Sequence, residues 1–216
     1  MTYPPRSTVG TVLDHLVLAT ADLAGTAAEL AGRGVDTVEG GPHVGVGTRN
    51  RLAGIGSGRY LEIVGPDREQ DEPAAPRPFR IDALDAPVLV TWAVRVTHLD
   101  TALDAVRAAG HDPGVAREMS RRRPDGALLS WRLAFPPDDA GGVLPFLIDW
   151  GTTRHPSDDL PVPASLDVLR LTHPDPARIA RVLDALGAGS GVEVAAGERP
   201  GLTATLDKPD GSLLLS

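Results

Sequence analysis

The chain contains no cysteine, which excludes disulfides, thiolate metal ligands and cysteine nucleophiles. Lysine is almost absent as well. Lys208 is the single one, so a lysine Schiff base is confined to the C-terminal end. No apolar run approaches the length of a membrane span, and residues 1–10 lack the basic-then-apolar order of a signal peptide. The expected location is the cytoplasm, with no membrane partner. A formal charge of -8 argues against nucleic acid as a partner. No Gly-x-Ser-x-Gly elbow, His-Glu-x-x-His helix or phosphate loop occurs, so neither a serine hydrolase nor a nucleotide cofactor is indicated. Aromatic residues make up only 4%, which makes the position of each of the three tryptophans informative.

What is present is ordinary globular material. With 216 residues, 42% of them apolar and 23% charged, the chain can build a real core. It also repeats itself. Residues 12–19 read as a strand, 23–33 as a helix capped by Thr20 or Asp22 and stopped at Gly34. The same order returns at 89–97, then 100–109 before Gly110. It returns again at 166–172, where Asp175-Pro176 starts a helix that Gly187 ends. Short strands bounded by Gly-rich and Pro-Asp-Gly turns follow each helix. Three such starts predict a duplicated unit. The boundaries are 12–66 and 88–151 for two βαβββ units and 67–87 for a covering linker. A third unit, 164–216, is expected to be short of a strand. All are expected in one compact domain.

The tandem βαβββ order opens with Leu13-Asp14-His15-Leu16-Val17 and closes its first unit with Tyr60-Leu61-Glu62-Ile63-Val64. With Gly58-Arg59 before that strand and Pro145-Phe146-Leu147-Ile148-Asp149-Trp150-Gly151 in the second unit, it resembles the glyoxalase-like branch of the vicinal oxygen chelate superfamily. The resemblance implies an α+β fold, with paired units forming a curved, cup-like mixed sheet and helices outside. It further implies a small-molecule ligand, a monomer or homodimer, and metal ligands on the first and last strands of each unit. In the first unit those positions are His15 and Glu62, the candidate ligands of a divalent metal. In the second, alignment puts Trp92, which cannot ligate, opposite His15, and either Ile148 or Asp149 opposite Glu62. The family spans lyases, isomerases, dioxygenases and metal-free drug-binding proteins, so the implied function is either turnover of a small oxygenated substrate or its sequestration.

Individual residues sharpen this. Glu62 sits among apolar neighbours in a strand, so its carboxylate needs a partner or a shifted pKa; it reads as a metal ligand or general base, or as the partner of Arg51 or Arg132. His15 is expected to share a face with Leu13, Val17 and Ala19. His43, in a Gly-rich stretch, can move a proton or lie idle on a loop. Thr48 and Asn50 alternate with Arg49 and Arg51, so the polar pair faces one side and can bind substrate. Trp92 is assigned to the pocket and Asp149 to substrate binding. Arg121-Arg122-Arg123 reads as a solvated hairpin, with Ser120 and Arg121 able to hold an anion. His155 reads as a loop residue near the rim.

Overall fold

The structure, a computed structural model, describes residues 11–123 and 125–216. The stretch 1–10, read above for an export signal, and Pro124 of the expected Pro-Asp-Gly turn lie outside the described residues. The first unit is β1 (Val12–Ala19), α1 (Leu23–Gly32), β2 (Val38–His43), β3 (Thr48–Gly54) and β4 (Tyr60–Pro66). The second is β5 (Val88–Arg95), α2 (Leu99–Ala108), β6 (Arg117–Arg122), β7 (Leu128–Ala134) and β8 (Phe146–Asp149). Asp22 caps α1 by accepting from the Gly25 N–H at 2.9 Å, an N-cap bond of the usual kind.

Their eight strands form one sheet in the order β2-β3-β4-β1-β5-β8-β7-β6. First and last strands of each unit are parallel neighbours. The two units meet through the antiparallel pair β1–β5. The sheet curls until its two ends approach. A Cβ on Gly41 would stand 2.9 Å from the Arg122 carbonyl oxygen, and its φ of +123° suits glycine alone. The bare backbone of β2 is what lets the far edge come this close.

The third unit departs from expectation. After β9 (Ser165–His173) and α3 (Pro176–Leu186) it has three strands, not two: β10 (Val192–Ala196), β11 (Gly201–Lys208) and β12 (Gly211–Leu215). The five-residue β10 has only one clear alternation, Val192-Glu193-Val194, and is easily taken for loop. Its pairing also differs from that of the first two units. β10 returns parallel beside β9, and β11 pairs antiparallel on the other side, giving the order β10-β9-β11-β12. The shared strand-helix start therefore leads to a separate four-stranded sheet, because a strand after the crossover can dock on either edge.

One apolar cluster runs through all three units. It holds Leu16, Leu61, Trp92 and Leu147 from the convex face of the large sheet, Leu99 and Val106 from α2, and Leu169, Ile179 and Leu206 from the third unit. Backbone bonds such as Leu166 N–H to the Ile55 oxygen, 2.9 Å, tie the sheets together. A second, smaller cluster lies in the cup: Val17, Ala93, Phe146, Ile148 and Trp150, with Ile81 from the segment between the units. From that segment Pro78 and Phe79 also reach the cup. Arg77, buried, donates from Nε to the Gly47 oxygen at 2.7 Å and pairs with Asp82 at 3.1 Å, which pins the short 3-10 turn Pro78–Ala83 over the opening.

Candidate functional site

The cup holds a cavity of about 240 Å³ whose polar lining comes mainly from the first unit. The first unit supplies polar groups: His15, His43, Thr48, Asn50, Tyr60 and Glu62. The second supplies a mostly apolar wall, including Trp131, Phe135, Phe146, Ile148 and Trp150, together with the guanidinium of Arg121. Phe79, at φ 59°, roofs it from the covering segment.

His15 arrives here through a local irregularity. Between Leu13 and His15 the register of β1 against β5 shifts by one residue, a β-bulge that re-aims side chains. Leu13 consequently joins the convex cluster with Leu16 and Leu18, while Val17 and Ala19 face the cup. The expectation that Leu13 shares a face with His15 is thus corrected. The bulge also turns Asp14 inward, where it is fully buried. Its carboxylate contacts His15 Nδ1 at 2.8 Å, His155 Nε2 at 2.7 Å and Trp150 Nε1 at 3.2 Å. Burial raises the pKa of Asp14, but the bonds and charges of His15 and His155 outweigh it and hold the group well below the usual carboxylate range. An ionised Asp14 can only accept. His15 therefore donates from Nδ1 and His155 from Nε2, and His15 Nε2 is the ring atom turned to Glu62.

His15 Nε2 stands 3.5 Å from Glu62 Oε2, and the His15 ring stacks on Tyr60 with centroids 4.5 Å apart. On its other oxygen, Glu62 accepts from Asn50 Nδ2 at 2.6 Å and faces His43 Nε2 at 3.6 Å. Neither Arg51, which binds Thr37, nor Arg132, which pairs with Asp100, is its partner. Burial pushes the Glu62 carboxyl up; His15, His43, Asn50 and Arg121 together bring it below its ordinary value. The Tyr60 hydroxyl, buried beside Asp14 and Glu62, is pushed well up and stays protonated.

His43 is in the cavity wall, not idle on a loop. Its Nδ1 meets the Thr48 hydroxyl at 2.9 Å and its Nε2 meets Asn50 Nδ2 at 3.2 Å. Burial lowers its pKa below the ordinary 6.5; Glu62 and Asp67 oppose this, and Arg121 reinforces it. The folded state thus binds a proton less readily than the unfolded chain. Its contribution to stability is full above pH 6.5 and is lost as pH falls through the folded-state value. Melting temperature is expected to decline between about pH 7 and pH 5 in the native protein, and His43→Gln is expected to flatten that part of the curve. Equal slopes in calorimetry would refute this assignment.

Two expected site residues lie elsewhere. Trp92 is fully buried in the convex core, with Nε1–H donating to the Val143 oxygen at 2.8 Å. The alignment behind its assignment is one residue out: Ala93, not Trp92, faces Phe146 across β5–β8 as His15 faces Tyr60 across β1–β4. The indoles of the cavity are Trp131 and Trp150, with centroids 5.2 Å apart. Asp149 lies outside the cavity and accepts from the Leu99 N–H at 3.3 Å and the Gly151 N–H at 2.9 Å, serving the start of α2. Asp14, Tyr60 and Phe79 escaped sequence reasoning. For Asp14 a signal existed, since a carboxylate inside an apolar strand has to meet buried donors.

The donor set does not fit a divalent metal. His15 faces Tyr60 across β1–β4 as Ala93 faces Phe146 across β5–β8. By the same register Ile148 stands where Glu62 does. The second unit thus offers no donor atom at either position. Among the described residues no three His, Asp or Glu side chains converge as ligands. Arg121 brings a guanidinium into the same lining, a charge that opposes a cation there.

Among solved structures the chain is similar to a hypothetical protein from Staphylococcus aureus, with TM-score 0.68, 10% identity, and coverage of 95% of this chain and 99% of that one. It is also similar to the Mn(II)-bound glyoxalase from Novosphingobium aromaticivorans, with TM-score 0.52, 13% identity, and coverage of 94% and 80%. At such identities the likeness is one of fold. No curated protein matches the chain. Among the described residues no helix is long and apolar enough to cross a membrane. The model of the glyoxalase-like domain matches residues 13–187, the two cup-forming units and the start of the third. With most of its length so matched, this small-molecule pocket protein belongs to the glyoxalase-like family of the vicinal oxygen chelate superfamily.

Proposed function

We propose that the chain is a metal-independent acid–base enzyme of the isomerase or lyase type, moving a proton at the carbon next to a carbonyl in a small oxygenated substrate. The observation that carries this reading is the close pair of proton-exchanging groups in the lining, Glu62 Oε2 and His15 Nε2, 3.5 Å apart and backed by the buried Asp14. Two such groups can share one proton. Glu62 takes the proton from carbon, His15 holds it, and the pair returns it to the substrate. Asn50 and His43 fix the carboxylate from its far side. Tyr60, kept protonated by burial, supplies a neutral donor toward which charge on the substrate oxygen can develop. The aromatic wall excludes water from the reacting carbon.

The test is deuterium uptake. Small aldehydes, ketones and 2-oxo acids are incubated with the protein in D2O, and loss of the α-proton signal is followed by NMR. At least one compound is expected to exchange in the presence of the native protein, and Glu62→Gln is expected to slow that exchange by about 10²–10⁴-fold. Exchange that survives Glu62→Gln would refute the assignment. The aromatic wall also suits sequestration without turnover; saturable binding across the panel with no exchange in any member would establish that reading instead.

A further inference from the structure

We infer that the molecule this cavity takes is a small monoanionic carboxylate with an aromatic or branched apolar body, its head paired with Arg121 and its body laid against Trp131, Phe135 and Trp150. The inference names the substrate class for the site proposed above and rests on that cavity being the functional one.

Arg121 carries it. The residue stands in β6, in a stretch where Arg117, Glu118, Met119, Ser120 and Arg122 are all exposed, yet Arg121 is 7% exposed. Closure of the sheet turns it inward against β2. A Cβ on Gly40 would come within 2.1 Å of Asn50 Oδ1 and 3.0 Å of the Arg121 Nη1, so both side chains fill the space beside this glycine. A guanidinium has five N–H donors. Here it makes no side-chain hydrogen bond and no ion pair with any described residue, and its Nη1 is enclosed without a partner. Glu62, the acidic residue of the lining, lies beyond ion-pair distance and is occupied by Asn50, His15 and His43.

A cation taken out of water and left unpaired is costly. Such a residue persists where something else completes it, and the cavity it lines is where that partner must enter. The planar fork of arginine suits two carboxylate oxygens. One guanidinium compensates one negative charge, and the Glu62 carboxylate nearby disfavours a dianion such as a phosphate ester. The opposite wall sets the remainder of the ligand. Trp131 and Trp150 are tilted faces 5.2 Å apart, and Phe135 stacks on Phe146 at 4.4 Å. Phe135 remains 46% exposed, an apolar surface that a ligand's body would cover.

Matched acid and amide pairs test this on the native protein: phenylacetate with phenylacetamide, 3-phenylpropionate with its amide, and 4-methylpentanoate with its amide. Binding is followed by tryptophan fluorescence. At least one acid is expected to quench saturably and to bind about tenfold or more tightly than its amide. Arg121→Gln should bring acid and amide to equal affinity, and Arg121→Lys should restore part of the preference. The comparison on the native protein stands even where a variant folds poorly. Equal binding of acid and amide, no saturable quenching by any acid, or an undiminished preference in Arg121→Gln would each overturn the inference. Deuterium exchange that depends on Glu62 while acids and amides bind alike would leave the acid–base reading intact and remove only the carboxylate.

Discussion

Asp14→Ala is expected to lower the melting temperature by on the order of 10 °C, the largest effect of any single polar change in this protein. The carboxylate is fully buried. It receives His15 Nδ1, His155 Nε2 and Trp150 Nε1, with Arg95 Nε at 3.6 Å. Removing it strands three buried N–H groups at once. Breaking a buried charged pair from one side costs about 3–5 kcal/mol, and in a chain this size each kcal/mol moves the midpoint by roughly 2–4 °C. Asp14→Asn keeps one acceptor oxygen and should lose less. The acid limb of the stability curve provides a second readout. Because the folded pKa lies below the unfolded 3.8, the unfolded chain takes up the proton first. The stabilisation is complete above the unfolded value and vanishes as pH falls through the folded one. Asp14→Asn should lack that part of the acid slope. A midpoint within about 2 °C of the native protein for Asp14→Ala would show that the cluster bears little of the stability.

Trp92→Ala is expected to be comparably destabilising, about 3–5 kcal/mol, while leaving the ligand site alone. The indole is completely enclosed between the large sheet and the third unit. Its loss leaves a cavity and deprives the Val143 oxygen of its donor. At a temperature where both proteins are folded, probe affinity should change by less than about twofold, since the change lies across the sheet from the cavity. Trp150→Ala should do the opposite to binding, because that indole lines the cavity. A large loss of probe affinity in Trp92→Ala would place Trp92 in the ligand site after all.

These two residues mark where sequence reasoning succeeded and where it stopped. The strands and helices were legible because their signals are local: β-branched runs, Asp22 and Asp175 as caps, and Pro176 and Gly187 at the ends of α3. Period-two alternation also put Thr48 with Asn50 on one face, and the structure keeps the pair together in the cavity. The same alternation failed in β1. A bulge adds one residue to one strand and reverses every facing assignment on one side of it. That single step hid Asp14 and took Leu13 from the cup; Trp92 was misplaced separately, by setting β5 one residue out against β1 when the two units were aligned. Arg121 reads with Ser120 as able to hold an anion, yet its burial was not legible. In the chain it is one of three consecutive arginines beside a turn, and nothing local distinguishes the one that closure of the sheet would bury.

Patterning along the chain alone therefore determined most strands and helices, their order, and the shared face of Thr48 and Asn50. Which indoles enter the cavity, how the third unit pairs, and which arginine is left unpaired inside were settled only in three dimensions. Those outcomes depend on strand register and on the approach of β2 to β6 across the cup, contacts between residues some eighty positions apart that leave no imprint on either segment by itself.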